Sequence, residues 1–371
     1  MVEARSRMSH WTNVDAGTAE CRESRTHDRR SAAAVRAFVV SGPRTGAVED
    51  VPPPVAMPGQ VVVDVERVGL CGTDVEFFTG DMAYLHQGHA HYPMRLGHEW
   101  CGTVSAVGDG VDRAWIGRRT TGDTMLGCGH CYRCLGGRQH LCEDRSEVGI
   151  RGGWPGALAD QLAIPASALH PLPDSVDTVA GALVEPGANA LRAVRAAALS
   201  RGDRVLILGA GAIGLLGALF ARAQGAEVHL MGRTARSLDF ARGLGLHGVW
   251  TLDELPPVPF DAVIDATNDA GMPALALDLV EPGKRVVCIG LSGTPSSIDT
   301  RTIALKDVTV VGILGGSAGL TEAIELYASG AVDPRPLVAA TVGLDGVGAV
   351  LGGWRPEGSG PGPKVHVDPR R

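Results

Sequence analysis

Val205-Leu-Ile-Leu-Gly209-Ala-Gly211-Ala-Ile-Gly214-Leu-Leu-Gly-Ala-Leu-Phe220 decides how the rest of the chain is organised. Four apolar residues follow Asp203-Arg204 and end at a glycine, which suits a strand buried on both faces of a parallel sheet, and a helical pattern then runs to Ala223. Between strand and helix lies Gly209-x-Gly211-x-x-Gly214. The first glycine permits a tight turn, the second lets the backbone approach a pyrophosphate, and the third lets the helix pack close to the strand. Free N–H groups at the helix start, around Ala212 and Ile213, add positive potential. This is a dinucleotide cradle. A glycine-rich chain produces such a pattern by accident fairly often, but a second strand at Ala226 to Met231 supplies the context that chance does not.

The end of that second strand carries the choice of cofactor. NAD is normally held there by an acid on the ribose 2′-hydroxyl, yet Met231 is followed by Gly232-Arg233-Thr234-Ala235-Arg236. The missing acid leaves room for a 2′-phosphate, with Arg233 and Arg236 as its charge-assisted clamp, so the expectation is NADP(H) in preference to NAD(H). Two solvated arginines opening a surface helix are the plainer alternative.

Working outward, short β-rich runs at Phe38–Val40, Gln60–Val65 and Gly102–Val107 indicate a β-barrel-like first domain. Cys71-Gly-Thr73-Asp74 and Gly97-His98-Glu99 fall between them and read as loops. Next comes Cys128-x2-Cys131-x2-Cys134-x7-Cys142, the spacing of a closed, all-cysteine zinc site that pins a loop too polar to fold by itself. A helical pattern from Ala180 to Leu199 contains Glu185-Pro186-Gly187-Ala188-Asn189. Further strand patterns at Gly248–Thr251, Asp261–Ala266, Arg285–Ile289 and Val308–Ile313 complete a doubly wound parallel sheet of six strands. A helix around Leu320–Ala328, a glycine-rich loop over Gly352–Gly362 and a strand at Lys364–Val367 close the chain.

At 371 residues and 44% hydrophobic content, two domains are expected. A net charge of −7, with no basic patch or basic amphipathic helix, argues against nucleic-acid or membrane partners and for a small-molecule substrate. Residues 1–34 are polar and Arg-rich, without the apolar core of a secretory signal, and read as a disordered extension or an over-extended start. With no membrane-length apolar run, the expectation is a cytoplasmic enzyme.

Cys-Gly-Thr-Asp, Gly-His-Glu, the four-cysteine lobe, Val-Glu-Pro and the glycine motif occur in an order and spacing that resemble the zinc-containing medium-chain alcohol dehydrogenase family, from about Val35 to Pro369. The resemblance implies a GroES-like catalytic domain over 35–186, a Rossmann domain over 187–318 and a C-terminal return to the catalytic domain over 319–371. It implies two zinc ions per chain. Cys71, His98 and Glu185 would hold the catalytic one, Glu99 would approach it in some states, and Cys128, Cys131, Cys134 and Cys142 would hold the structural one. Thr73 would bond the substrate oxygen and relay its proton, and Asp74 would buttress His98. Where many relatives place a relay histidine, this chain has Glu76, which either relays the proton or is merely exposed.

Glutamate as third ligand brings the chain nearer the polyol and threonine dehydrogenases, and Asn189 echoes the threonine branch. The implied reaction interconverts a secondary alcohol of a polyol, cyclitol or amino alcohol with its ketone, in a homodimer or homotetramer. Reduction of an aldehyde or enone, and a non-catalytic nucleotide-binding scaffold, are the competing readings. Phe77, Tyr84, Trp100 and Trp154 line the substrate pocket or are plain core.

Overall fold

Strand β1, Arg204–Leu208, sends Val205 and Ile207 into one core and Leu206 and Leu208 into another. It is therefore covered on both faces, as its uninterrupted apolar run requires. The other strands of its sheet are β2 (Glu227–Met231), β3 (Gly248–Trp250), β4 (Phe260–Asp265), β5 (Val280–Cys288) and β6 (Thr309–Gly312). They pair in parallel in the order β3-β2-β1-β4-β5-β6. The strand order reverses between β1 and β4, and the crevice at their carboxyl ends is where such sheets bind ligands. On one face, helices α1 (Val184–Ala196) and α2 (Ala212–Ala223) share a cluster with Val205, Ile207 and Val228.

The computed structural model describes residues 34–371, so the expected disorder over 1–34 falls outside the described residues except at Ala34. The six-stranded sheet matches the expected strands to within a few residues, β5 beginning earlier than its apolar run. The β-rich first part forms a seven-stranded sheet around Gln60–Gly69, which pairs antiparallel with Glu99–Val107 and Gln161–Pro165. Its core gathers Phe38, Phe77, Trp100, Leu162 and Ile164. The closing strand Lys364–Val367 joins this sheet beside Gln60–Gly69 and pairs on its other side with Val338–Val342. The helix Leu320–Ala328, by contrast, packs in the core of α1 and α2. The return to this sheet is thus made by the two strands.

Three local expectations change. The helical run from Ala180 is broken into Thr178–Gly181 and Val184–Ala196, because Pro186 has no N–H to give and fits only the first turn of a helix that restarts beside it. Cys71-Gly-Thr-Asp is not a loop: Gly72–Thr79 is helical, and the carboxylate of Asp74 accepts the backbone N–H of Cys71 at 2.9 Å, holding the helix start. Glu99 likewise is no loop residue but opens a strand, recruited by its pairing with Gly69.

Candidate active site

Cys71 ends the coil after Gln60–Gly69, and His98 and Glu99 stand where the chain enters Glu99–Val107. The pairing of these two strands brings the three side chains together, their ligand atoms all within 4.8 Å of one another. His98 is 4% exposed and Glu99 1%. Asp74 is fully buried and ties the parts in place. Its Oδ2 accepts the Cys71 N–H, its Oδ1 accepts the Gly97 N–H at 3.2 Å, and Oδ1 lies 3.5 Å from Nδ1 of His98. Burial opposes charge on both members of this pair, but their mutual attraction outweighs it: the Asp74 pKa is lowered and the His98 pKa is raised well above the usual value.

Glu185, in the first turn of α1, stands outside that trio. Its Oε1 accepts Nδ2 of Asn189 at 3.0 Å, one helical turn on. Burial pushes its carboxyl up to about 7, with the charge of His98 pulling the other way and that of Glu99 adding to the rise. Among the described residues no cationic side chain pairs with it. The carboxylate of Glu99 differs: the buried ammonium of Lys364 lies 2.5 Å from both its oxygens. Lys364 was not singled out in the sequence, its only signal being that it is one of three lysines in a chain that otherwise uses arginine.

Thr73 and Glu76 are three residues apart on Gly72–Thr79 and so share a helix face. Desolvation and the nearby Asp81 raise the Glu76 pKa although the residue is exposed. Of the four aromatic residues, Phe77 and Trp100 are fully buried core. Trp154 lines a cavity of about 590 Å³ with His91, Arg95 and Arg151, while Tyr84 meets Arg145 and Glu147.

The four lobe cysteines also converge, within 4.8 Å of one another. Cys128 and Cys134 sulfurs are 4.0 Å apart, Cys131 and Cys142 sulfurs 3.8 Å. A tetrahedral zinc with bonds of about 2.3 Å spaces its sulfurs by about 3.8 Å, so the set fits that ion. All seven described cysteines are free thiols. The N–H of Cys134, donating to the Cys131 sulfur, helps hold that thiol down to about 7.

The glycine turn has the geometry a pyrophosphate needs. Gly209 has φ of +105°, a side chain at Gly214 would meet the Gly209 carbonyl at 1.9 Å, and at Gly211 nothing lies within 4 Å of a built Cβ. The last position is left open. Beyond β2, Thr234 caps the helix Ala235–Arg242 through its hydroxyl. The two arginines part company: Arg233 is 77% exposed and pairs with Asp269 at 3.5 Å, whereas Arg236 turns to the carbonyl of Gly360.

A doubly wound parallel sheet joined to a β-rich unit in which half-buried Cys71 meets buried His98 and Glu99 is the frame of a metal-dependent, dinucleotide-linked oxidoreductase. The alcohol dehydrogenase GroES-like domain model matches residues 57–174, and the zinc-binding dehydrogenase model matches residues 212–329. L-threonine 3-dehydrogenase of Rhizobium etli is 30% identical over 324 residues, 84% of this chain and 92% of the relative. The 2-dehydro-3-deoxy-L-galactonate 5-dehydrogenase of Pseudoalteromonas atlantica is 31% identical over the same shares. A Sinorhizobium meliloti structure described as a zinc-binding dehydrogenase bound to NADP superposes with a TM-score of 0.82 at 28% identity, covering 91% of this chain and 99% of its own. The chain belongs to the zinc-containing medium-chain alcohol dehydrogenase family, and with it to the zinc-binding, nicotinamide-dependent dehydrogenases. No helix among the described residues is long and apolar enough to cross a membrane.

Proposed function

We propose that this chain is an NADP(H)-preferring dehydrogenase that interconverts a secondary alcohol of a polyol, cyclitol or amino alcohol with its ketone, using a catalytic zinc held by Cys71, His98 and Glu185. The observation that carries the reading is the meeting of Cys71 and His98 beside two buried acids of which only one is compensated. Lys364 takes both oxygens of Glu99, so Glu185 is the carboxylate left to answer a metal's charge. Glu99 is the neutralised neighbour, able to approach the ion without adding a net charge. Cys128, Cys131, Cys134 and Cys142 hold a second, structural zinc.

A zinc held by Cys71, His98 and Glu185 would acidify the substrate hydroxyl, and a bound nicotinamide would take the hydride from the carbinol carbon. The protein does the positioning. Asp74 fixes the His98 ring and the Cys71 helix start with one carboxylate. Thr73 Oγ1 takes the hydroxyl proton and Glu76, on the same helix face with a raised pKa, passes it to solvent. Gly209, Gly211 and Gly214 with the N–H groups of Ala212 and Ile213 cradle the pyrophosphate, and the absence of an acid after Met231 admits a 2′-phosphate near Thr234 and Arg236.

The substrate class is supported by the relatives named L-threonine 3-dehydrogenase and 2-dehydro-3-deoxy-L-galactonate 5-dehydrogenase. The catalytic portion comprises 35–186 with the closing strands of 319–371, and the nucleotide portion lies between. Elemental analysis together with a dehydrogenation screen over polyols, aminocyclitols and amino acids, with both nicotinamide cofactors, tests the proposal. Two zincs per chain and NADP-linked oxidation of one such alcohol are expected. One zinc and no turnover would leave a nucleotide-binding scaffold.

A further inference from the structure

A cavity of about 230 Å³ opens between the glycine turn and the C-terminal segment. Ala210 and Leu215 form its floor from the β1-to-α2 turn, Thr234, Arg236 and Ser237 one wall from the end of β2, and Arg355 the other. Pockets that enclose a whole drug-sized ligand measure about 300–1,000 Å³, so this one takes the end of a larger molecule. Its place at the tip of β2 identifies which end: the ribose of the adenosine half.

Both guanidiniums hold the same loop. Arg236 donates to the carbonyl of Gly360 at 3.1 Å, and Arg355 donates to those of Gly362 and Pro363 at 3.0 and 3.1 Å. Among the described residues neither is paired with a carboxylate, and most of their N–H donors are free of the loop. Burial, and then the charge of Arg236, lower the Arg355 pKa, which reports two like charges held near each other across the gap. Two uncompensated guanidiniums flanking a cavity with the hydroxyls of Thr234 and Ser237 between them make a receptor for a dianion. Arg233, the arginine that sequence alone pairs with Arg236, has turned to Asp269 and does not line the cavity.

We infer that Arg355, contributed by the glycine-rich C-terminal segment, is a specificity-determining residue that clamps the 2′-phosphate of NADP(H) opposite Arg236. This rests on the NADP(H) reading above. The phosphate bridges the two side chains, screening their repulsion while the loop carbonyls keep both planes aimed inward.

The test measures dissociation constants of 2′,5′-ADP and 5′-ADP by calorimetry on the full-length zinc-loaded enzyme, as wild type, Arg355→Gln, Arg355→Lys and Arg236→Gln. The wild type is expected to bind 2′,5′-ADP at least tenfold more tightly than 5′-ADP. Arg355→Gln and Arg236→Gln should each cut that ratio by about tenfold, the loss of a charge-assisted pair, and Arg355→Lys should retain part of it. An equal fall in affinity for both nucleotides in Arg355→Gln would mean that Arg355 only braces the loop and would overturn the inference. An unchanged ratio overturns it too, leaving the NADP(H) reading in place. A wild type that does not favour 2′,5′-ADP sinks both.

Discussion

The ammonium of Lys364 lies 2.5 Å from each carboxylate oxygen of Glu99 and also donates to the carbonyl of Leu70 at 3.1 Å. One side chain from the closing strand therefore fastens the residue before Cys71 and the residue after His98. Removing it strands a buried carboxylate, which costs far more than the pair itself contributes. Lys364→Met is expected to lower unfolding stability by about 3–5 kcal/mol, and adding Glu99→Gln should restore most of the loss because no uncompensated charge then remains. Urea unfolding of the single and double variants checks this. A double variant no more stable than the single would count against the charge argument.

On the proposed reading, the zinc of the cysteine lobe can be separated from the catalytic one. Cys134→Ser removes one of four sulfurs held near 3.8–4.0 Å spacing, from a loop whose hydrophobic share is small. Zinc per chain is expected to fall from two to one by elemental analysis, with the lobe becoming the first site of proteolytic cleavage. Unchanged metal content would mean that the thiols hold no ion.

How far these features were readable before the fold was known depends on how local they are. The parallel strands, the glycine turn and the Cys128–Cys142 lobe each announce themselves within a few residues, through an apolar run, a spacing or a turn. Lys364 does not, because its partner lies 265 residues away and a lone lysine in a short strand reads as surface. Arg355 is hidden for the same reason: its meaning comes only from the loop that carries it back to Arg236. The helix at Gly72–Thr79 and the strand beginning at Glu99 were masked by glycine-rich turn signals, which the Asp74 cap and the pairing with Gly69 override. Glu185 was singled out by its motif, and its contrast with Glu99 required the positions of Lys364 and Asn189.

Glu76 carries a pH signature. Its raised pKa means that the carboxylate able to accept a proton is lost as pH falls from neutrality, earlier than for an ordinary glutamate. If it relays the proton from Thr73, alcohol oxidation declines on that acidic limb. Glu76→Gln should lower turnover by roughly 10²-fold, the modest end of acid–base catalysis, and abolish the limb. An unchanged pH profile of kcat would reduce Glu76 to an exposed helix residue.

Two glycines on α2 should respond in opposite ways to the same added methyl group. At Gly214 the new Cβ would meet the Gly209 carbonyl at 1.9 Å, a backbone atom that cannot swing aside, so the turn must open where the proposed reading places the pyrophosphate. At Gly217, three residues on, the nearest atoms are side-chain carbons at 3.7 and 3.9 Å, ordinary van der Waals contact. Gly217→Ala is expected to raise stability by about 0.5–1 kcal/mol, since a helix interior prefers alanine by that amount. Gly214→Ala should instead weaken dinucleotide binding by more than tenfold and lower the unfolding midpoint. Thermal unfolding with and without NADPH separates them: the Gly217 variant keeps the ligand-induced shift from a higher starting point, and the Gly214 variant loses it. If both variants keep the full shift, the third glycine is not what lets the helix approach the strand.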